Sequence, residues 1–496
     1  MSLAIKSLKA PATALVTGGF LVWSAVAQAA SPPDSFADLA EEVSPAVVNI
    51  SSTRAPDEDR GPRSRDSLPF DLPPGSPFED FFRQFEEHFK GMRPQQYQNR
   101  PATSLGSGFI IDSEGFVVTN NHVIDKADDI RVKLSDGRDL EAEVIGRDSK
   151  TDLALLKISS DNELPTVNMG DSDEVRVGDW VMAVGNPFGL GGSVTAGIIS
   201  ARSRDINAGP YDDFLQTDAA INRGNSGGPM FNMDGEVIGI STAIFSPSGG
   251  SVGIGFAIPS NLASDVITQL RDKGEVERGW LGVRIQQVTP ELAEGLGLDE
   301  EKGALVASVE PDGPADQAGI RAGDVILEFA GEDVERMRDL PRIVAAVSAG
   351  EDVEIVVWRN GEEEILNATI AEQTEESMAA FGGSRSQPEG EGDVERSLDR
   401  LGATLSGLDE ETKERLGLPE DMSGVVVTDV DPDGRAASQG LAPGDVIEQV
   451  DGQEVTSPSE VAERLGQATR DGKKTVVLLV ERDGSPLFLG FRLGDA

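Results

Sequence analysis

A serine hydroxyl attacks a carbonyl only when a base takes its proton, and in proteins that base is most often a histidine. This sequence holds two histidines, His88 and His122. His88 lies in an irregular aromatic stretch. His122 stands in "FVVTNNHVID", where a β-like run breaks into polar residues, the setting of a loop-borne functional group. A serine in suitable company is Ser226, between glycines in "INRGNSGGPMFN". Gly224 can take backbone angles closed to other residues, so in Gly224-Asn225-Ser226 two amides can point into one site as donors to a developing oxyanion. Gly227 and Gly228 leave the approach to the hydroxyl open. An imidazole working as a base needs a carboxylate to hold its tautomer. Asp152 in "SKTDLALLKI" opens an apolar run, so its carboxylate is drawn against the core and needs a donor there.

Singly, each has a plainer reading: a surface histidine, a capping aspartate, a glycine turn. Together they stand in the order His122, Asp152, Ser226 within one β-rich segment. That order matches chymotrypsin-type enzymes and differs from subtilisins and α/β-hydrolases. The chemistry implied is nucleophilic acyl transfer. There is no cysteine, which removes thiolate nucleophiles, thiolate zinc sites and disulfides together. No metal and no cofactor is expected.

The elements that must hold these groups are mostly strands. From Leu105 to about Pro259, short β runs such as "SGFIID", "IRVKL", "LEAEVIG", "DWVMAVG" and "EVIGIST" alternate with Gly, Asp and Asn turns, the spacing of a barrel or sandwich. Ahead of them, "SFADLAEEVSPAVVNISS" predicts a short helix leading into a strand. Residues 54–103 are rich in Pro, Gly and charge and predict a long loop, yet "PFEDFFRQFEEHF" carries aromatics that should dock on something. "NLASDVITQLRDKGEVERG" predicts a helix closing the domain. Beyond it "SVEPDGPADQAGIRAGDVI" aligns without a gap to "DVDPDGRAASQGLAPGDVI", so the rest is a tandem repeat of small domains. Between the copies lies an acidic Gly/Ser/Pro-rich linker.

The residue balance narrows the partners. With 43 basic against 87 acidic residues the formal net charge is −44, which argues against nucleic acid or an anionic membrane. Such a surface fits either a salty habitat or plain solubility with an acidic linker. The N-terminus has Lys6 and Lys9, an apolar run and Ala27-Gln28-Ala29, the layout of a bacterial secretory signal cleaved after Ala29. An uncleaved anchor is the alternative. No later segment is apolar enough to span a bilayer, so export without stable membrane insertion is expected.

The strings "TNNHVI", "TDLALLK", "GNPFGLGGSVTAGIIS" and "LQTDAAINRGNSGGPMFNMDGEVIGIST" resemble the HtrA (Do, DegP-like) family of serine endoproteases of the bacterial cell envelope. The resemblance implies a mainly β chain: a chymotrypsin-like double β-barrel followed by two PDZ domains. It divides the sequence into a signal peptide (1–29), a protease domain (30–275) with a regulatory loop (54–103), a first PDZ domain (276–372), a linker (373–396) and a second PDZ domain (397–496). It puts the triad on His122, Asp152 and Ser226, and the oxyanion loop on Gly224, Asn225 and Ser226. It implies a periplasmic, ATP-independent protease of misfolded proteins, working as a homotrimer or larger trimer-built assembly, with a holdase chaperone as the alternative.

Substrate would lie as an added strand along Gly239–Phe245, touching Thr242, Ala243, Ile244 and Phe245, with a narrow apolar pocket before the cut bond. Arg204 is the expected regulatory relay, with Arg202 the alternative. The PDZ loops for C-terminal peptides are expected at Leu281-Gly282-Val283 and at Leu401-Gly402-Ala403, the first being the better peptide site and the second serving mainly in assembly.

Overall fold

The computed structural model describes residues 33–54, 102–187, 192–222, 224–246, 250–374, 396–398, 402–408, 413 and 422–493. The signal peptide, most of the aromatic loop, most of the linker and Leu401 lie outside them.

The first barrel closes in the order β1-β2-β3-β6-β5-β4. Its strands are β1 (Val47–Arg54), β2 (Ala102–Ile110), β3 (Phe116–Thr119), β4 (Asp129–Lys133), β5 (Asp139–Asp148) and β6 (Leu153–Ile158). The second closes as β10-β11-β12-β9-β8-β7. It contains β7 (Trp180–Gly185), β8 (Ser193–Arg204), β9 (Phe214–Thr217), β10 (Pro229–Phe231), β11 (Val237–Ile244) and β12 (Gly255–Pro259). Alternation in β1 puts Val48 and Ile50 into the first barrel, where they meet Ile110, Val132, Leu156 and Ile158. Leu153 and Leu155 face the other way, into a core shared with Phe109, Met182, Phe231 and the helix Ser260–Lys273. That shared core fixes one barrel against the other, and the cleft between them is where His122 and Ser226 can meet.

The long loop is narrower than its composition predicts. The ladder of β1 with β2 runs out to Arg54 opposite Ala102, so both ends of the excursion are strand rather than coil.

The two repeats are small sheets. The first has β13 (Gly279–Trp280), β14 (Val283–Gln287), β15 (Ala304–Val309), β16 (Val325–Phe329), β17 (Glu332–Asp333), β18 (Asp352–Arg359), β19 (Glu362–Thr369) and β20 (Ala371–Glu372). The second has β21 (Arg396–Leu398), β22 (Ala403–Gly407), β23 (Val425–Val430), β24 (Val446–Val450), β25 (Gln453–Glu454), β26 (Thr475–Arg482) and β27 (Ser485–Arg492). Each repeats one internal pin: a buried aspartate in the turn before β16 or β24, held by an arginine at the end of β18 or β26. Asp324 accepts from Arg359 at 2.7 Å, and Asp445 from Arg482 at 2.7 Å. The "AGDVI" and "PGDVI" strings are therefore core joints. Leu305, Val325 and Leu327 of one sheet pack on Val477, Leu479 and Phe488 of the other, so the repeats stack through their outer faces.

Candidate active site

His122 sits in a short helical turn, Asn121–Ile124, after β3, rather than in open loop. Asp152 occupies the turn before β6 with φ +58°, a left-handed conformation that aspartate tolerates better than most residues. That backbone choice aims both ends of the residue at the histidine turn. Its carbonyl accepts from the Asn121 amide (3.1 Å) and the Asn120 side chain (2.9 Å). Its Oδ1 accepts from the His122 amide at 2.9 Å, and its Oδ2 lies 2.7 Å from His122 Nδ1. Thr242 Oγ1 donates to the same Oδ2 at 2.7 Å. A carboxylate buried to 7 % exposure is thus satisfied by three donors from two segments. With Nδ1 facing the carboxylate, Nε2 is left as the ring nitrogen that can take a proton.

Ser226 is held at the seam of the two barrels by backbone contacts. Its carbonyl accepts from the Ser107 amide at 2.8 Å, and the next amide, Gly227, donates to Ser241 at 2.8 Å. Gly224 and Gly227 have φ +94° and +83°. A side chain at 227 would also run into the Ser107 carbonyl and the hydroxyl of Thr119, which ends β3 just before the histidine turn. Asn225 is buried beneath the loop, and its amide donates to Asn222 at 3.0 Å. Ser107 Oγ donates to the Gly224 carbonyl (2.6 Å) and accepts from the Asn186 amide (2.8 Å), tying the nucleophile turn to both barrels. A half-exposed serine, a histidine held by a buried carboxylate and a turn with two left-handed glycines can together perform acyl transfer.

The other expected residues scatter by role. Beyond Ser241, where β10 stops pairing, β11 continues as Thr242, Ala243 and Ile244 with β12 on one side only among the described residues. Ile244 is 2 % exposed and belongs to the second barrel's core, whereas Phe245 is 40 % exposed. Arg204 donates to Gln216 within the barrel (3.0 Å), and Arg202 pairs with Asp173. The first repeat is met instead by other residues of the same loop. Asp205 faces Arg338 at 3.8 Å, and Tyr211 donates to Gln373 at 2.9 Å. Leu281 is buried, Gly282 has φ +81°, and Val283 starts β14. Gly402 has φ +70° and Ala403 starts β22.

A second buried pair joins the repeat to the triad turn. Arg278 donates to both oxygens of Asp148, at 3.2 and 2.5 Å, four residues before Asp152 and three before Leu281. Its guanidinium also lies 4.8 Å over the Tyr211 ring. Burial opposes charge on Asp148, but the bonded Arg278, with the Thr151 hydroxyl and the Lys150 amide, outweighs it and holds the carboxyl below its ordinary pKa. In the same loop, burial pushes Asp212 up to about 6, although it accepts from the Ile206 and Ala208 amides. A small cavity lined by Ile206, Tyr211, Phe214, Thr242 and Leu262 separates this loop from Asp152.

Comparison with known proteins agrees with this layout. A trypsin-like peptidase domain matches residues 106–240, and PDZ domains match 279–370 and 426–482. A probable periplasmic serine endoprotease, DegP-like, of Brucella suis is 48 % identical over 94 % of this chain and 90 % of its own. The chain belongs to the DegP-like family of periplasmic serine endoproteases. The DegP-like relative of Halomonas elongata is 44 % identical over 95 % of both chains. Among solved structures, the HtrA-type protease AlgW with a decapeptide is 43 % identical, covers 68 % of this chain and 99 % of its own, and superposes with a TM-score of 0.54. This DegP-like chain is accordingly a serine endoprotease of the periplasm, with a two-barrel protease domain and two PDZ domains. Among the described residues no helix is long and apolar enough to cross a membrane.

Three contributors escaped the sequence reading: Ser107, the role of Thr242 as a donor to Asp152, and the Asp148–Arg278 pair. A polar residue inside "LGSGFII" was a faint signal for Ser107. Nothing local marks the other two.

Proposed function

We propose that Ser226 Oγ attacks the scissile carbonyl while His122 Nε2 takes its proton, and that Asp152 holds the Nδ1–H and stabilises the imidazolium. The amides of Gly224 and Ser226 receive the oxyanion of the tetrahedral intermediate. His122 then returns the proton to the leaving amine, and the acyl-enzyme is hydrolysed by a water that the same imidazole deprotonates. The observation that carries this reading is the double hold of Asp152 on His122, through amide and ring, beside the nucleophile turn.

Substrate lies as an extended strand along Thr242–Phe245, the end of β11 and the residue after it, which suits unfolded chains of little sequence demand. The segment is uncharged, which supports cleavage after small apolar residues. With Ile244 committed to the barrel core, Phe245 is the side chain best placed to meet the substrate. The decapeptide in the AlgW structure supports peptide binding here, at the first PDZ domain through Leu281, Gly282 and Val283. Phe36 and Trp180 stack edge to face at 6.0 Å, and Trp180 is 37 % exposed, an aromatic pair suited to a trimer contact. The division at 30–275, 276–372 and 397–496 follows the same reading, as does a role in removing misfolded periplasmic proteins. The relatives' names favour cutting over a pure holdase.

The test is digestion of reduced, unfolded casein by wild type and Ser226→Ala, with suppression of aggregation followed in parallel. Cleavage by wild type alone is expected. Absence of cleavage in both, with aggregation suppressed by both, would overturn the protease reading in favour of the holdase.

A further inference from the structure

The two PDZ domains are copies, yet they treat differently the edge at which each could take an added strand. In the first, β14 pairs with β15, and among the described residues no strand lies on its other side. In the second, β22 is the counterpart of β14, each preceded by a left-handed glycine, Gly402 or Gly282. There β21 lies antiparallel along the outer edge of β22. Arg396 faces Leu405, Ser397 faces Thr404 and Leu398 faces Ala403. β23 holds the opposite edge. A strand has two edges, so over Ala403–Leu405, where a peptide's last residues would lie, β22 has none to offer.

Direction makes the match closer. A C-terminal peptide whose carboxylate is held by the loop before β22 must end beside the first residue of that strand, and so runs antiparallel to it. β21 does the same: its last residue, Leu398, faces the first residue of β22, Ala403. The chain then continues through the loop where a peptide would end.

The residues leading into the loop differ between the copies. In the first copy the residues leading into the loop pair with β20, Gly279 opposite Glu372 and Trp280 opposite Ala371. A Cβ on Gly279 would run into the carbonyl oxygens of Val344 and Val347 at the end of the helix Asp339–Ala346. The second copy has Asp399 at the equivalent place, three residues before Gly402. A berth like that of Gly279 does not admit the Cβ of an aspartate.

We propose that the linker strand β21 fills the peptide-accepting edge of the second PDZ domain, leaving the first domain alone to take C-terminal peptides until β21 withdraws. This rests on the reading of the PDZ domains as peptide-binding modules, and the test separates the two. Hydrogen exchange is measured on the full-length Ser226→Ala chain, on the same chain with residues 396–398 replaced by Gly-Ser-Gly, and on one carrying Ser397→Pro. Binding stoichiometry is measured on all three with a labelled decapeptide ending in Ala-Val-Leu. The amides of β22 should exchange at least about tenfold faster in both variants, with those of β14 unchanged. Bound peptide should rise from one to two per chain. Equal exchange of β22 in all three chains, two peptides on the parent, or one peptide on variants whose β22 is unprotected would each overturn the proposal. If the decapeptide binds none of the chains, the peptide-binding reading falls, and exchange of β22 still decides whether β21 occupies the edge.

Discussion

His122, Asp152 and Ser226 are legible in sequence because their chemistry demands particular residue types, and the chain offers few histidines. The residues that hold them are not, because they come from far along the chain. Thr242 is 90 positions from Asp152 and Ser107 is 117 from Gly224, and no periodicity connects such pairs. Thr242→Val tests how much the added donor matters. It removes a hydrogen bond to a buried carboxylate, worth roughly 1.5–3 kcal/mol for a charged acceptor. The expected result is a fall in kcat/KM for a chromogenic peptide of at least about tenfold, since 1.36 kcal/mol is a factor of ten. Unchanged kinetics would mean that the two contacts to His122 suffice. Ile244, turned into the barrel core, and Arg204, bonded to Gln216, mark the limit at this scale: a motif tells which segment matters but not which way each side chain turns.

Elements were easier to read than their pairings. The helix Ser260–Lys273, the strand runs of both barrels and the repeat all announce themselves by spacing, whereas the packing of one repeat on the other depends on which sheet face is left apolar. That packing buries charge. Glu481 on β26 is raised from 4.5 to about 7, by burial first and then by the Glu448 carboxylate, with Arg284 of the first repeat pulling it the other way. A raised carboxyl pKa means that the folded state binds a proton the unfolded chain has already lost. Stability from this group is therefore present at low pH and lost as pH rises from about 4.5 through 7. Glu481→Gln, which mimics the protonated form, should raise the melting temperature at pH 8 and leave it nearly unchanged at pH 5. Equal shifts at the two values would assign the effect to packing rather than to charge. Elsewhere the Asp148–Arg278 pair is costly to break singly, about 3–5 kcal/mol for a buried ion pair left half-made. The joint between the first repeat and the triad turn is therefore a firm one.

At the scale of the whole molecule the dominant number is the net charge of −44. Bringing several such chains together is opposed by repulsion that extends over a Debye length of about 10 Å at 0.1 M salt and 3 Å at 1 M. If the working form is a trimer, sedimentation velocity should find it enriched at about 1 M NaCl and depleted at about 0.05 M, with proteolytic activity following the same trend. An oligomer indifferent to salt would leave the acidic excess as a matter of solubility. Composition reveals that charge at once but not where it falls, which is why it argues against nucleic acid without indicating an assembly. The barrel ladder carries a different consequence. Arg54 and Ala102 are partners across adjacent strands, so the long excursion between them leaves and re-enters the fold at one spot. Closing that gap needs only the few residues of a hairpin turn, and lengthening it costs little because loop entropy grows slowly with length. The site is thus a natural splice point. A graft, a tag or a pair of new chain ends could be placed there while the catalytic cleft is assembled from everything else.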